Sequence, residues 1–129
     1  VILVVSDTSP IRALDHLGLL SVLGLLFERV IVPPAVVAEL SRPKPRFTPV
    51  DVSSMSFFEV RRPTDKALIQ HLRSSLDSGE SEAIALAIEV NAEAVLIDEA
   101  AGRHIAAESG LTSLGTLGVL VRAKQQGFL

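Results

Sequence analysis

Four short stretches of this chain carry carboxylates where acids can do chemistry. Asp7 follows the apolar run Val1 to Val5, and Glu39 stands in a short helical stretch, Ala35 to Leu40. Glu80 and Glu82 open a long apolar helix pattern, and the pair Asp98-Glu99 follows the apolar run Ala94 to Ile97. Like charges held close together repel and raise one another's pKa, so gathering acids carries a cost. A hard divalent cation removes that cost. Mg²⁺ and Mn²⁺ prefer oxygen ligands, and a couple of carboxylates plus waters satisfy them. Beside a phosphodiester such an ion lowers the pKa of a water, neutralises developing charge and orients an in-line attack. No general-base histidine is then needed. His16, His71 and His104 fall within helical patterns, show no ligand spacing and are expected on the surface.

Each acid also has a plainer use. Ser9 reads as a helix N-cap with Pro10 at the first helical position, which leaves Asp7 free at a strand end; the alternative is an Asx turn at the helix entry. Glu39 sits next to Val36 and Leu40 on the helical wheel, at the border of the buried stripe, and the alternative is an exposed helix glutamate. Glu80 stands above Ala83, Ile84 and Ala87 on the most apolar face, whereas Glu82 stands above Ala85, Leu86 and Glu89. Glu80 is therefore the expected inward acid and Glu82 the alternate, although Asp77 and Glu80 also have the spacing of a capping box. One of Asp98 and Glu99 could cap the helix that follows, but two acids exceed what one cap requires. Asp98 is the expected ligand, with Glu99 supporting it or taking its place.

The elements that must position these acids alternate between strand and helix. The unbroken β-branched run at the start predicts a strand buried on both faces, as in a parallel sheet. Residues 10–27 are helical with a break near Gly18, Val30 to Val32 form a strand, and Pro34 opens a helix to Leu40. Ser41 to Val50 is a proline-containing loop, Met55 to Val60 a strand, and Asp65 to Leu76 a helix. Gly79 to Asn91 is apolar almost all round and hence a buried helix. Strands at Ala94 to Ile97 and Leu111 to Leu114, with helices at Ala100 to Ser109 and Thr116 to Gln126, complete the pattern. Such alternation calls for a parallel sheet with crossovers, whose strand carboxyl ends are the edge where ligands bind. A chain of 129 residues is expected to form one domain, 1–129.

Composition narrows the function classes. The chain has no cysteine, which excludes a disulfide framework, a zinc–thiolate site and a thiol nucleophile. It has no Trp or Tyr, leaving five Phe as the aromatics available to stack on bases. No run approaches the ~18 apolar residues that span a bilayer, so no membrane partner and a cytoplasmic location are expected. The net charge of −3 is unevenly spread: residues 42–73 carry seven basic and three acidic side chains, and residues 74–129 three basic and eight acidic. A basic middle beside an acid-rich edge suits a polyanion held near a metal. Arg42, Lys44, Arg46, Arg61 and Arg103 are the candidate phosphate contacts.

These residues together resemble the PIN-domain family of metal-dependent ribonucleases. The likeness rests on Val4-Val5-Ser6-Asp7-Thr8-Ser9-Pro10, on Val32-Pro33 through Val37-Ala38-Glu39-Leu40, on Leu76-Asp77-Ser78-Gly79-Glu80-Ser81-Glu82-Ala83 and on Leu96-Ile97-Asp98-Glu99. The tail Gly115-Thr116-Leu117-Gly118 is similar to one prokaryotic branch of that family. The resemblance implies an α/β fold, a three-layer α/β/α sandwich with a central parallel sheet. It further implies Mg²⁺ or Mn²⁺ as cofactor and single-stranded RNA as substrate. Carried over by position, the ligands would be Asp7, Glu39, Glu80 and Asp98, with Thr8 or Ser9 supporting the first by hydrogen bonds. Many relatives are toxins held inactive by an antitoxin protein, and many are homodimers, so both partners are expected. The chain departs from the commoner pattern in having Glu at position 80, where many members have Asp, and Glu after Asp98.

Two other classes compete with an endoribonuclease. One is a catalytically silent module of the same fold that binds RNA or protein. The other is a receiver or phosphatase-like α/β domain, which also puts Asp at strand ends. A receiver needs a lysine at a late strand end, and an Asp-based phosphatase needs a second Asp two residues after the first. Position 9 is Ser, and no lysine is so placed.

Overall fold

In the computed structural model, which describes residues 2–129, five parallel strands form one sheet in the order β3-β2-β1-β4-β5. Val1, the first residue of the expected opening strand, lies outside the described residues. The strands are β1 (Leu3–Ser6), β2 (Arg29–Val32), β3 (Phe58–Val60), β4 (Ala94–Leu96) and β5 (Ser113–Leu114). Between them run α1 (Thr8–His16), α2 (Val22–Leu26), α3 (Pro34–Ser41), α4 (Lys66–Leu72), α5 (Ser78–Glu89) and α6 (Ala100–Glu108), and α7 (Thr116–Gln125) follows β5. A single 3-10 turn, Val52–Ser54, precedes β3. This is the expected three-layer α/β/α sandwich.

Period-2 alternation along the strands divides the core. Val4, Val30, Val32 and Leu96 face one helical layer, where Ile11 and Leu14 of α1, Leu23 of α2, Val36 of α3 and Val119 of α7 meet them. Val5, Ile31, Val95 and Ile97 face the other, packed on Ile84 and Leu86 of α5 and Ala106 of α6. Both faces of every central strand are covered. That is why the sequence shows continuous apolar runs there.

Strand order reverses between β1 and β4, with β2 and β3 on one side and β5 on the other. Diverging crossovers leave a crevice at the carboxyl ends of these two strands, the usual ligand position in open α/β sheets. β1 and β4 pair Val4 with Ala94, Val5 with Val95 and Ser6 with Leu96, and the Asp7 amide extends the ladder to the Leu96 carbonyl at 2.9 Å. The first helix begins earlier than its Ser9-Pro10 signal suggests. Thr8 is its first residue and Asp7 occupies the N-cap position, yet the Asp7 side chain makes no capping bond. Pro10 fits inside the first turn because its missing N–H would have had no intrahelical partner there.

Gly18, at φ +72°, separates α1 from α2 as the sequence break requires. The three histidines are exposed, and His104 lies 3.3 Å from Glu108. No helix among the described residues is long and apolar enough to cross a membrane.

Burial on this scale sets a stability expectation. Ile31→Ala, at a side chain with no exposure, should cost about 2–5 kcal/mol. Leu117→Ala, at a side chain 74% exposed, should change stability by about 0.5 kcal/mol or less. Urea unfolding measures both, and equal losses would contradict the packing described.

Candidate metal and nucleic-acid cleft

A cleft of about 580 Å³ opens at the carboxyl ends of β1 and β4. Asp7, Glu39, Asp77, Glu80 and Glu99 all line it, delivered by the β1–α1 junction, by α3, by the start of α5 (two of them) and by the β4–α6 junction. Strand parity explains the membership. Asp7 follows Val5 by two residues and Glu99 follows Ile97 by two, so both extend the sheet face that carries α5.

Glu39 reaches the cleft from α3 because α1 clamps it twice. Thr8 donates its hydroxyl to Glu39 Oε2 at 2.6 Å. Arg12, one turn later on α1, donates Nη2 to the Glu39 carbonyl oxygen. The Thr8 hydroxyl therefore supports the second acid, while its amide favours the charged form of the first, and Ser9 lines the cleft wall. Gly79 keeps the space between two acids open: a Cβ there would lie 2.8 Å from Glu39 Oε1 and 3.1 Å from Asp7 Oδ1. Both oxygens thus flank one point on the first turn of α5.

Glu80 does two jobs at once. Its amide donates to Asp77 Oδ1 at 2.8 Å, and its Oε1 accepts from the Asp77 amide at 3.3 Å, a complete capping box. Its other oxygen, Oε2, is buried and has no hydrogen-bond partner. Gly102 on α6 makes room for it, since a Cβ there would stand 2.8 Å from Oε2. Glu82 turns elsewhere: Oε1 accepts the Ala35 amide at 3.1 Å, satisfying a free N–H at the start of α3.

The structure does not bring Asp98 into this cleft. Its carboxylate accepts the Thr116 amide at 2.7 Å and the Thr116 hydroxyl at 2.8 Å, anchoring the start of α7. It borders a separate cleft of about 420 Å³, which Arg103 also lines. The reason is parity: Asp98 continues the Leu96 face, toward α7, while Glu99 turns to the acids. Of the candidate phosphate contacts, Arg42 and Lys44 line the acid cleft. Arg61 is bonded to Glu59, Arg103 belongs to the second cleft, and Arg46 sits at φ +74° on an exposed turn outside the wall. Arg12 and Asp77 were not among the expected site residues. Asp77 could have been found as the N-cap partner of Glu80, and Arg12 as the basic residue four after Thr8 on α1.

Burial and mutual repulsion govern the electrostatics. Asp7 is 4% exposed and its carboxyl is pushed up to about 7, first by loss of solvent and then by the charges of Asp77, Glu80 and Glu39, with the Thr8 amide opposing. Glu80 is raised for the same leading reason, with Asp77 and Glu99 among the carboxylates acting on it. Among the described residues, no three His, Asp or Glu side chains stand already at metal-holding geometry. Thr8 and the Asp77 amide each hold one of the acids by a hydrogen bond. The orphaned Glu80 Oε2, the Cβ-free cradle at Gly79 and an all-oxygen donor set fit a hard divalent ion.

A family model described as PIN domain matches residues 3–129. Among solved structures, the chain is similar to a PilT N-terminus domain protein from the hyperthermophilic archaeon Sulfolobus solfataricus P2. The two share 19% identity over 95% of this chain and 93% of that one, with a TM-score of 0.66, a likeness of fold. No curated protein matches the chain.

The raised Asp7 carboxyl makes stability pH-dependent. Between the ordinary carboxylate range and pH 7 the folded chain keeps a proton that the unfolded chain has lost, so stability falls as pH rises through that window. Without divalent metal, Tm should drop between about pH 4 and pH 7, by a stability loss of up to about 4 kcal/mol. Asp7→Asn should flatten most of that slope. A wild-type Tm that rises over the same window would contradict the account.

Proposed function

Because the chain belongs to the PIN-domain family, we propose that it is a metal-dependent endoribonuclease hydrolysing phosphodiester bonds of single-stranded RNA. The supporting observation is the convergence of Asp7, Glu39, Glu80 and Glu99 on one cleft at the sheet's switch point. These four would hold the ion, with Asp77 beside them. When bound there, Mg²⁺ or Mn²⁺ would activate a water and neutralise charge developing on the phosphate. The chain's own groups prepare for it: Thr8 orients Glu39, the Asp77 amide orients Glu80, and burial keeps bulk water from Asp7.

Arg42 and Lys44 on the rim supply the opposite charge that an RNA backbone needs to approach a wall of acids. Acids at the bottom of a cleft favour a flexible single strand, which can bend a phosphate inward. The same reading includes a toxin role restrained by an antitoxin protein, a homodimer and a cytoplasmic location. A catalytically silent module is the second reading, favoured by the absence, among the described residues, of a group already at metal-holding geometry.

Cleavage of a labelled single-stranded RNA separates the two. With Mn²⁺ the wild-type chain should cut it, and EDTA should stop cutting. Asp7→Asn and Glu99→Gln should each lower the rate by more than about 100-fold. Asp98→Ala should keep the rate within a few-fold while losing roughly 1–2 kcal/mol of stability with its Thr116 bonds. RNA binding without metal-dependent cutting would favour the silent module. Loss of activity in Asp98→Ala with full activity in Glu99→Gln would return the fourth ligand to Asp98.

A further inference from the structure

Arg12 is 7% exposed, and burying a charge without a partner is costly. An arginine cannot escape that cost by losing its proton. Its Nη2 donates only to neutral acceptors, the carbonyl oxygens of Glu39 and, at 3.4 Å, Arg42. Its Nη1 is closed to solvent and has no hydrogen-bond partner. Among the described residues no acidic side chain forms an ion pair with it. The nearest carboxylate by connectivity, Glu39, is already engaged by Thr8.

An unspent donor nitrogen therefore belongs to a residue that lines a cleft, and a small outward turn of the guanidinium would bring it to a ligand there. A second cation, Lys44, lines the same cleft and approaches the same aromatic ring as Arg12. The Arg12 guanidinium carbon lies 6.0 Å from the centre of the Phe47 ring, and Lys44 Nζ lies 5.8 Å from it. The Lys44–Phe47 bridge and the left-handed Arg46 bend this segment back so that both cations share one aromatic ring. Arg12, Arg42 and Lys44 all line the one cleft, a charge pattern that suits an anion with more than one acceptor oxygen. A phosphate offers the parallel oxygens that an arginine fork binds in a two-pronged way.

We propose that Arg12 anchors a phosphate subsite in the acid cleft, completed by Lys44 and Arg42, that holds a backbone phosphate neighbouring the one to be cut. The subsite rests on the ribonuclease reading for its natural ligand, RNA, but its anion chemistry can be tested alone. Arg12→Gln keeps N–H donors for the two carbonyls while removing the charge, and Arg12→Lys keeps the charge without the fork. Arg62→Gln, at an exposed position outside the cleft, is the control.

Two measurements test it. Fluorescence anisotropy with a short labelled single-stranded RNA, in Ca²⁺ to separate binding from cleavage, gives Kd as a function of salt. Arg12→Gln should weaken binding about 10-fold and reduce the log Kd–log salt slope by about 0.7, one single-strand phosphate. Arg12→Lys should weaken it less, and Arg62→Gln should change neither. Inorganic phosphate, compared with chloride at equal ionic strength, should raise the Tm of the wild type and not of Arg12→Gln. Wild-type affinity and slope in a folded Arg12→Gln would overturn the subsite and leave the nuclease reading intact. If Arg12→Gln does not fold, no phosphate-induced rise in wild-type Tm overturns it. A phosphate response without any RNA binding or cutting would sink the ribonuclease reading instead, and with it RNA as the subsite's ligand.

Discussion

The pairing of β1 with β4 in the middle of the sheet fixes which side chains can meet at its carboxyl edge. Val5 lies opposite Val95 and Ser6 opposite Leu96, and the Asp7 amide continues the ladder to Leu96. From that register, alternation alone sends Asp7 and Glu99 to one face and Asp98 to the other. A slip of one residue would exchange the roles of Asp98 and Glu99. Because both faces of these strands are packed, by α1, α3 and α7 on one side and α5 and α6 on the other, such a slip would also misplace the core. The hydrophobic packing and the site geometry are thus two consequences of one register.

Bringing five carboxylates to one cleft opposes folding, and the structure shows how the opposition is contained. Protonation is one means: burial and neighbouring charge push Asp7 up to about 7. Hydrogen bonding is another, through Thr8 on Glu39 and the capping box on Glu80. Two glycines, Gly79 and Gly102, leave the space that these side chains occupy. None of these devices neutralises the cluster as a divalent ion would. The residual cost is the physical basis for reading the cleft as a cation site.

Much of this was legible in the sequence. The apolar runs located β1, β2 and β4, and Pro33-Pro34 marked the turn into α3 with Pro34 at its first position. The wheel of α5 separated Glu80, which turns to the acids, from Glu82, which satisfies the Ala35 amide. What escaped depended on tertiary register. Asp98 and Glu99 are indistinguishable until β4 is paired, and Thr116, eighteen residues on, claims the first of them. Thr8 looked like a partner for its neighbour Asp7, but its hydroxyl spans 31 residues to Glu39. Arg61 was placed by charge alone, which ignores its local partner Glu59, and Arg103 by its position a turn after Asp98, which it follows into the second cleft. Arg12 stands four residues after Thr8, which puts both on one face of α1, but which carbonyl oxygens that face would meet depends on where α3 packs.

The most direct test of the central claim is calorimetric titration of the metal-free chain with Mn²⁺ near pH 6.5, repeated in buffers of different ionisation enthalpy. A shared carboxylate site predicts saturable binding that expels roughly one proton from the buried Asp7, with both the binding and the proton release lost in Asp7→Asn. Absence of binding, or binding of equal strength in that variant with no proton exchanged, would contradict it.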